Sequence, residues 1–96
     1  MAERANRDFD RILRGSKQME QAITETKGQL QLLDKEIDAA GSFLRDKKAQ
    51  DNLKEIKGAV AEALKVMKSG EERVRELTRK TQREKAGYEA LNGRER

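Results

Sequence analysis

Leu44-Arg45-Asp46-Lys47-Lys48-Ala49 is the stretch across which two apolar stripes lose phase with one another. Upstream, Ala2, Ala5, Phe9, Ile12, Ser16, Met19, Ile23, Thr26, Leu30, Leu33, Ile37, Ala40 and Leu44 recur at alternating spacings of three and four. That is the spacing of one face of a long helix. Carried past Leu44, the same phase meets Lys47, Asp51, Lys54, Gly58, Ala61, Lys65 and Lys68, so it fails. A second stripe replaces it: Ala49, Leu53, Ile56, Val60, Ala63, Met67, Gly70, Val74, Leu77, Thr81, Glu84, Tyr88 and Leu91. At about 100° per residue, the step from Leu44 to Leu53 turns the stripe through half a circle. An unbroken helix would carry its two stripes on opposite faces. A chain that doubles back brings them together.

The fold expected is therefore all-α: an antiparallel helical hairpin, coiled-coil-like, forming one domain over residues 1–96. The first helix is expected over about 2–40, the connection within 41–52, and the second helix over about 52–92. With matched ends, Ala40 meets Leu53, Ile37 meets Ile56, Leu33 meets Val60 and Leu30 meets Ala63. Gly70 then falls opposite Ile23, Glu84 opposite Phe9, and Tyr88 opposite Ala5. Gly41 can close the first helix in the left-handed conformation, and Ser42 can cap a helix start. Asn52, with Glu55 three residues on, is a second start. A tight turn at 45–48 and a longer loop over 41–51 both satisfy the pattern, with Phe43 covering the end of the hairpin.

Composition agrees with long helices. Charged residues are 42% of the chain, the aromatics are Phe9, Phe43 and Tyr88 alone, and Pro is absent. Low hydrophobicity with high charge is also the mark of disorder. The 22 basic and 18 acidic residues nearly cancel to a net +4, however, and the apolar residues are periodic, which decides for helix. Without Cys or His there is no disulfide, thiolate site or imidazole base. No catalytic residue, cofactor or metal is expected, and the chain is read as a non-enzyme. Neither a membrane span nor a secretory signal peptide is expected, and the compartment stays open: cytoplasmic, or exported without a cleaved signal.

A single seam interrupted by Ser16, Thr26, Gly70, Thr81 and Glu84 offsets little of the entropy lost on ordering the chain. Leu13, Leu32, Ala59, Leu64 and Val66 widen the apolar face beside it, and a wider stripe implies a further neighbour. The expected partner surface is Leu30, Leu32, Leu33, Leu64, Val66 and Met67, burying itself against another helical hairpin in a four-helix bundle. That partner is either a different helical protein or a second copy of this chain. The run Arg73, Arg75, Arg79, Lys80, Arg83 and Lys85 invites a nucleic-acid reading. Glu71, Glu72, Glu76 and Glu84 are interleaved with it at pairing distance, and no stacking aromatic lies in it, which favours a solvated helix face.

The size, the hairpin layout and two short motifs resemble the small Trp-x-Gly proteins of type VII secretion, the early-secreted-antigen group and the small helical partners of LXG toxins. Where that family carries Trp-x-Gly at its turn, this chain has Ala39-Ala40-Gly41, with the Gly kept and no Trp. Where the family's export signal reads Tyr-x-x-x-Asp/Glu, this chain has Tyr88-Glu89-Ala90-Leu91-Asn92, with Asn in place of the acid. The resemblance implies a partner or targeting chaperone of a larger exported helical protein, with Tyr88 and Asn92 contributing to a bipartite export signal. A cytosolic coiled-coil adaptor or homodimeric scaffold, a phage-type inhibitor occupying a protein groove, and a nucleic-acid-binding hairpin are the alternatives.

Overall fold

The computed structural model describes residues 2–94, leaving out the side chains of Ala2 and of residues 92–94. Two helices, α1 (Ala2–Phe43) and α2 (Lys47–Arg94), pack against each other as a helical hairpin. No strand occurs among the described residues. Two compact units are distinguished: a turn unit, Ile23–Gly70, and an open unit, Met1–Ala22 with Glu71–Arg96.

In the turn unit the reversal takes only Leu44, Arg45 and Asp46. It falls inside the expected range of 41–52 but begins later, because α1 runs straight through Gly41 and Ser42. No described glycine has a positive φ, so Gly41 is an ordinary helical residue and not a left-handed stop. Ser42 is no cap either: its hydroxyl donates back to the Ala39 carbonyl at 2.6 Å. The cap of α2 is Asp46, whose Oδ1 accepts from the Lys48 amide at 3.2 Å, rather than Asn52, which lies inside the helix. The side chain of Gln50 reaches back and donates to the Leu44 carbonyl at 2.7 Å, satisfying an acceptor beyond the end of α1. Phe43 does not cover the hairpin end; its ring is 84% exposed.

The buried apolar residues of the turn unit are Ile37 and Val60. Gly70 faces Ile23 as the register predicts: a methyl added there would lie 3.5 Å from Ile23 Cδ1. In the open unit Val74 is buried together with Ser16 and Thr81. The Ser16 hydroxyl has no hydrogen-bond partner, while Thr78 donates to the Val74 carbonyl at 3.0 Å. The rings of Phe9 and Tyr88 meet with centroids 6.0 Å apart and planes tilted by 60°. Tyr88 therefore packs on Phe9, one turn further along α1 than Ala5, and Glu84 is exposed rather than facing Phe9.

Candidate interaction surface

The helices are rolled about their axes relative to the seam that the stripes alone define. On α1 the residues four positions after Phe9, Ser16, Ile23, Leu30 and Ile37 (Leu13, Glu20, Lys27, Asp34 and Gly41) are half-buried. The residues three positions after them include Ile12, Met19, Thr26 and Leu33, all exposed. On α2 Leu64, Glu71, Thr78 and Lys85 are half-buried and Ile56 and Leu77 exposed, but in the turn unit Ala49, Ala63 and Gly70, on the Ile56 flank, are half-buried as well, and Lys57, on the Leu64 flank, is exposed. At about 100° per residue, steps of three and four lie on opposite sides of the residue they start from. The large side chains of the flank that holds Leu33 and Ile56 are thus turned out while its small residues, Ala40, Ala49, Ala63 and Gly70, stay half-buried.

Ion pairing marks the other flank. In the turn unit Lys57 donates a hydrogen bond to Asp38 Oδ1 and stands 4.0 Å from Asp34. In the open unit Arg75 reaches Glu20 at 3.4 Å and Glu71 at 2.8 Å, and Lys85 donates to Asp10 Oδ1 at 2.7 Å. The hydrogen bond to Asp38 is the main cause holding the Lys57 ammonium above its ordinary 10.5, reinforced by the charges of Asp34 and Asp38 against a desolvation effect that lowers it. Asp10 does the same for Lys85, again through a hydrogen bond first. Arg75 and Lys85 belong to the basic run of α2, so two of its cations are already engaged by carboxylates.

Because Asp34 and Lys57 share one flank, the opposite positions of both helices share the other. In the turn unit that second flank combines Thr26, Gln29, Leu33, Glu36, Ala40 and Phe43 of α1 with Ala49, Asn52, Ile56, Ala59, Ala63, Val66 and Gly70 of α2. Glu36 is its one charged residue. The ion-paired flank of the same unit has six: Lys27, Asp34, Asp38, Lys54, Lys57 and Lys68. Large apolar side chains stand out on or beside the charge-poor flank: Leu33 is 40% exposed, Ile56 47%, Leu32 61% and Val66 62%. The flank is thus poor in charge within a chain that is 42% charged.

Of the six residues expected to meet a partner, Leu33 and Val66 lie on this flank, at different levels along it, with Leu32 behind Leu33 on the outer side of α1. Leu30, Leu64 and Met67 are half-buried at the packed side of the hairpin. Leu64 and Val66 are two residues apart, about 200° around the helix, and cannot share a face. Sequence reasoning missed Phe43 and Ile56. Their signal was present in the spacing: Phe43 follows Leu33 and Ala40 along one flank, and Ile56 precedes Ala59, Ala63 and Val66 along another.

One concavity of the turn unit is a shallow groove of about 210 Å³ lined by Ile37, Asp38, Gly41, Gln50, Leu53, Lys54 and Lys57. It is smaller than a usual small-molecule pocket, and its Lys57 and Asp38 are spent on each other. Among the described residues no group of three or more His, Cys, Asp or Glu could hold a metal ion, and no helix is long and apolar enough to cross a membrane. Tyr88, half-buried against Phe9, is within the described residues; the side chain of Asn92, the other half of the expected export signal, lies outside them. No protein family, curated protein or solved structure matches this chain.

Proposed function

We propose that this chain is a non-enzymatic helix-to-helix interaction protein that docks another helical hairpin on the charge-poor flank of its turn unit, completing a four-helix bundle. The observation that carries this reading is the exposure of Leu32, Leu33, Ile56 and Val66 beside positions that hold one charge among thirteen. Few of the chain's own apolar side chains are buried, so the hairpin gains more than most folds from a second layer. Ile56→Asp with Val66→Asp should abolish association with a helical partner while circular dichroism stays helical. Leu64→Asp, on the ion-paired flank, should affect folding instead. Association that survives the double substitution in a helical chain rules the surface out.

A more specific version makes the partner the helical N-terminal region of a larger type VII-secreted protein, with this chain as its partner or targeting chaperone. What supports it is the hairpin layout, with Gly41 one turn before the reversal and Tyr88 near the open end. The test is co-expression with the protein encoded immediately downstream: a soluble heteromer that is exported only when both chains are present supports it. A downstream product that neither binds this chain nor needs it for export removes it.

A further inference from the structure

We infer that the hairpin docked on the charge-poor flank is a second copy of this chain, with α1 of each copy lying across α2 of the other and the two turns at the same end. The inference rests on the interaction reading above and goes on to name the partner.

Three features of the turn unit lead there. The first is charge. A flank holding only Glu36 offers no pattern of charge by which a foreign charged surface could be selected, whereas a second copy presents an equally uncharged flank by construction. The second is size. Both sides of the flank mix large and small residues: Leu33 and Phe43 with Ala40 on α1, Ile56 and Val66 with Ala59 and Ala63 on α2. With the turns at the same end and α1 on the second copy's α2, Leu33 comes level with Ala59 and Ala63, and Ile56 level with Ala40, so large side chains meet small ones at these levels, the condition for interdigitation. The alternative of α1 on α1, centred on the flank, would bring the two copies of Glu36 together, and like charges at an interface oppose association. The third is area. The α1 part of the flank runs from Thr26 to Phe43, about 26 Å at 1.5 Å per residue, across a pair of helices roughly 20 Å wide. That footprint is on the order of 500 Å² per copy, or about 1,000 Å² for the pair, at the lower limit for a specific interface. A dimer with so small an interface is expected to be weak and to dissociate on dilution.

The experiment is sedimentation equilibrium of the full chain from one to a hundred micromolar, read with circular dichroism on the same samples. The expected result is a reversible rise from the 11.0 kDa of the chain to twice that mass. Val66→Asp should hold the mass at the single-chain value across the range with helical dichroism kept. The chain has no cysteine, so a mixture of Leu33→Cys and Ala59→Cys chains reports the arrangement directly: mild oxidation should link the two variants to each other. Several results overturn the inference: a helical single chain at every concentration, a dimer indifferent to Val66→Asp, Leu33→Cys chains linking only among themselves, or a wild-type chain that stays unfolded alone. If the chain is single yet Val66→Asp destroys its binding to a different helical protein, the second copy is excluded and the interaction reading stands. If neither self-association nor binding of another protein depends on Val66, both fall.

Discussion

The turn unit and the open unit are built on the same spacing of apolar residues, and they are held by different means. In the turn unit the seam is apolar, with Ile37 and Val60 buried, and further apolar residues spill onto a flank with one charge. In the open unit the seam includes two hydroxyls, Ser16 and Thr81, both buried. There the helices are tied by the Phe9–Tyr88 ring pair, which the turn unit lacks among its described residues, while interhelical ion pairs occur in both units, at Arg75 and Lys85 here and at Lys57 there. The equivalent outer flank of the open unit has Asp8, Arg73, Lys80 and Glu84 interleaved with Ile12, Met19 and Leu77. A heptad stripe thus specifies that two helices meet. The residues beside the stripe decide how much apolar surface is left exposed once the two helices have met.

The sharpest way to break that contrast is at the turn-unit seam. Ile37→Ala removes a buried aliphatic side chain and should cost about 2–4 kcal/mol, read as a lower thermal midpoint by circular dichroism. A change within experimental error would mean that the apolar seam is not what holds this unit. In the open unit the ring pair is the corresponding point. Tyr88→Ala should cost about 1–2 kcal/mol, whereas Tyr88→Phe keeps the ring on Phe9 and should leave the midpoint nearly unmoved. If export depends on the tyrosine hydroxyl, Tyr88→Phe will lose export without losing stability, which separates the packing role from the signal role.

Ser16→Ala should move stability the other way. It removes a fully buried hydroxyl that has no partner, and a gain of about 1 kcal/mol is expected in chemical denaturation. A loss on this substitution would show that the hydroxyl is satisfied in solution, and the polar seam would then not be a weak point. In the turn unit Gly58 lies within α2 with nothing near the position of an added methyl. Gly58→Ala should therefore stabilise by about 0.5–1 kcal/mol from helix propensity alone.

The smallest effect concerns pH and involves both units. Lys57 and Lys85 are held above the ordinary lysine value by Asp38 and Asp10. A raised value in the folded chain means that the contribution is fully present below 10.5, the value when unfolded, and is lost as pH climbs through the higher folded value. Both pairs are exposed, so the loss should be slight and should shrink further in salt. Lys57→Met with Lys85→Met should flatten the alkaline limb of a stability profile; an unchanged limb would assign it to other groups.

How much of this was legible beforehand follows from which contacts are local. Helix spacing comes from the backbone's own 3.6-residue turn, so the two stripes, their loss of phase, the reversal within 41–52 and the apposition of Ile23 and Gly70 could all be read from the residues. The end of α1 could not. Gly41 permits a left-handed stop without demanding one, and the capping of α2 by Asp46 fixes the reversal three residues later. Nor could the roll of each helix. Spacings of three and four are equally compatible with turning either flank inward. The choice depends on which arrangement lets Asp34 and Asp38 meet Lys57, Glu20 meet Arg75, and Asp10 meet Lys85, contacts between residues far apart in the chain. The sequence by itself determined that this chain doubles back and along which residues its halves face each other. Only the tertiary structure decided that Val66 looks outward on the same flank as Leu33 and that Leu64 does not, because a helix's rotation about its axis is set by the partner it packs against.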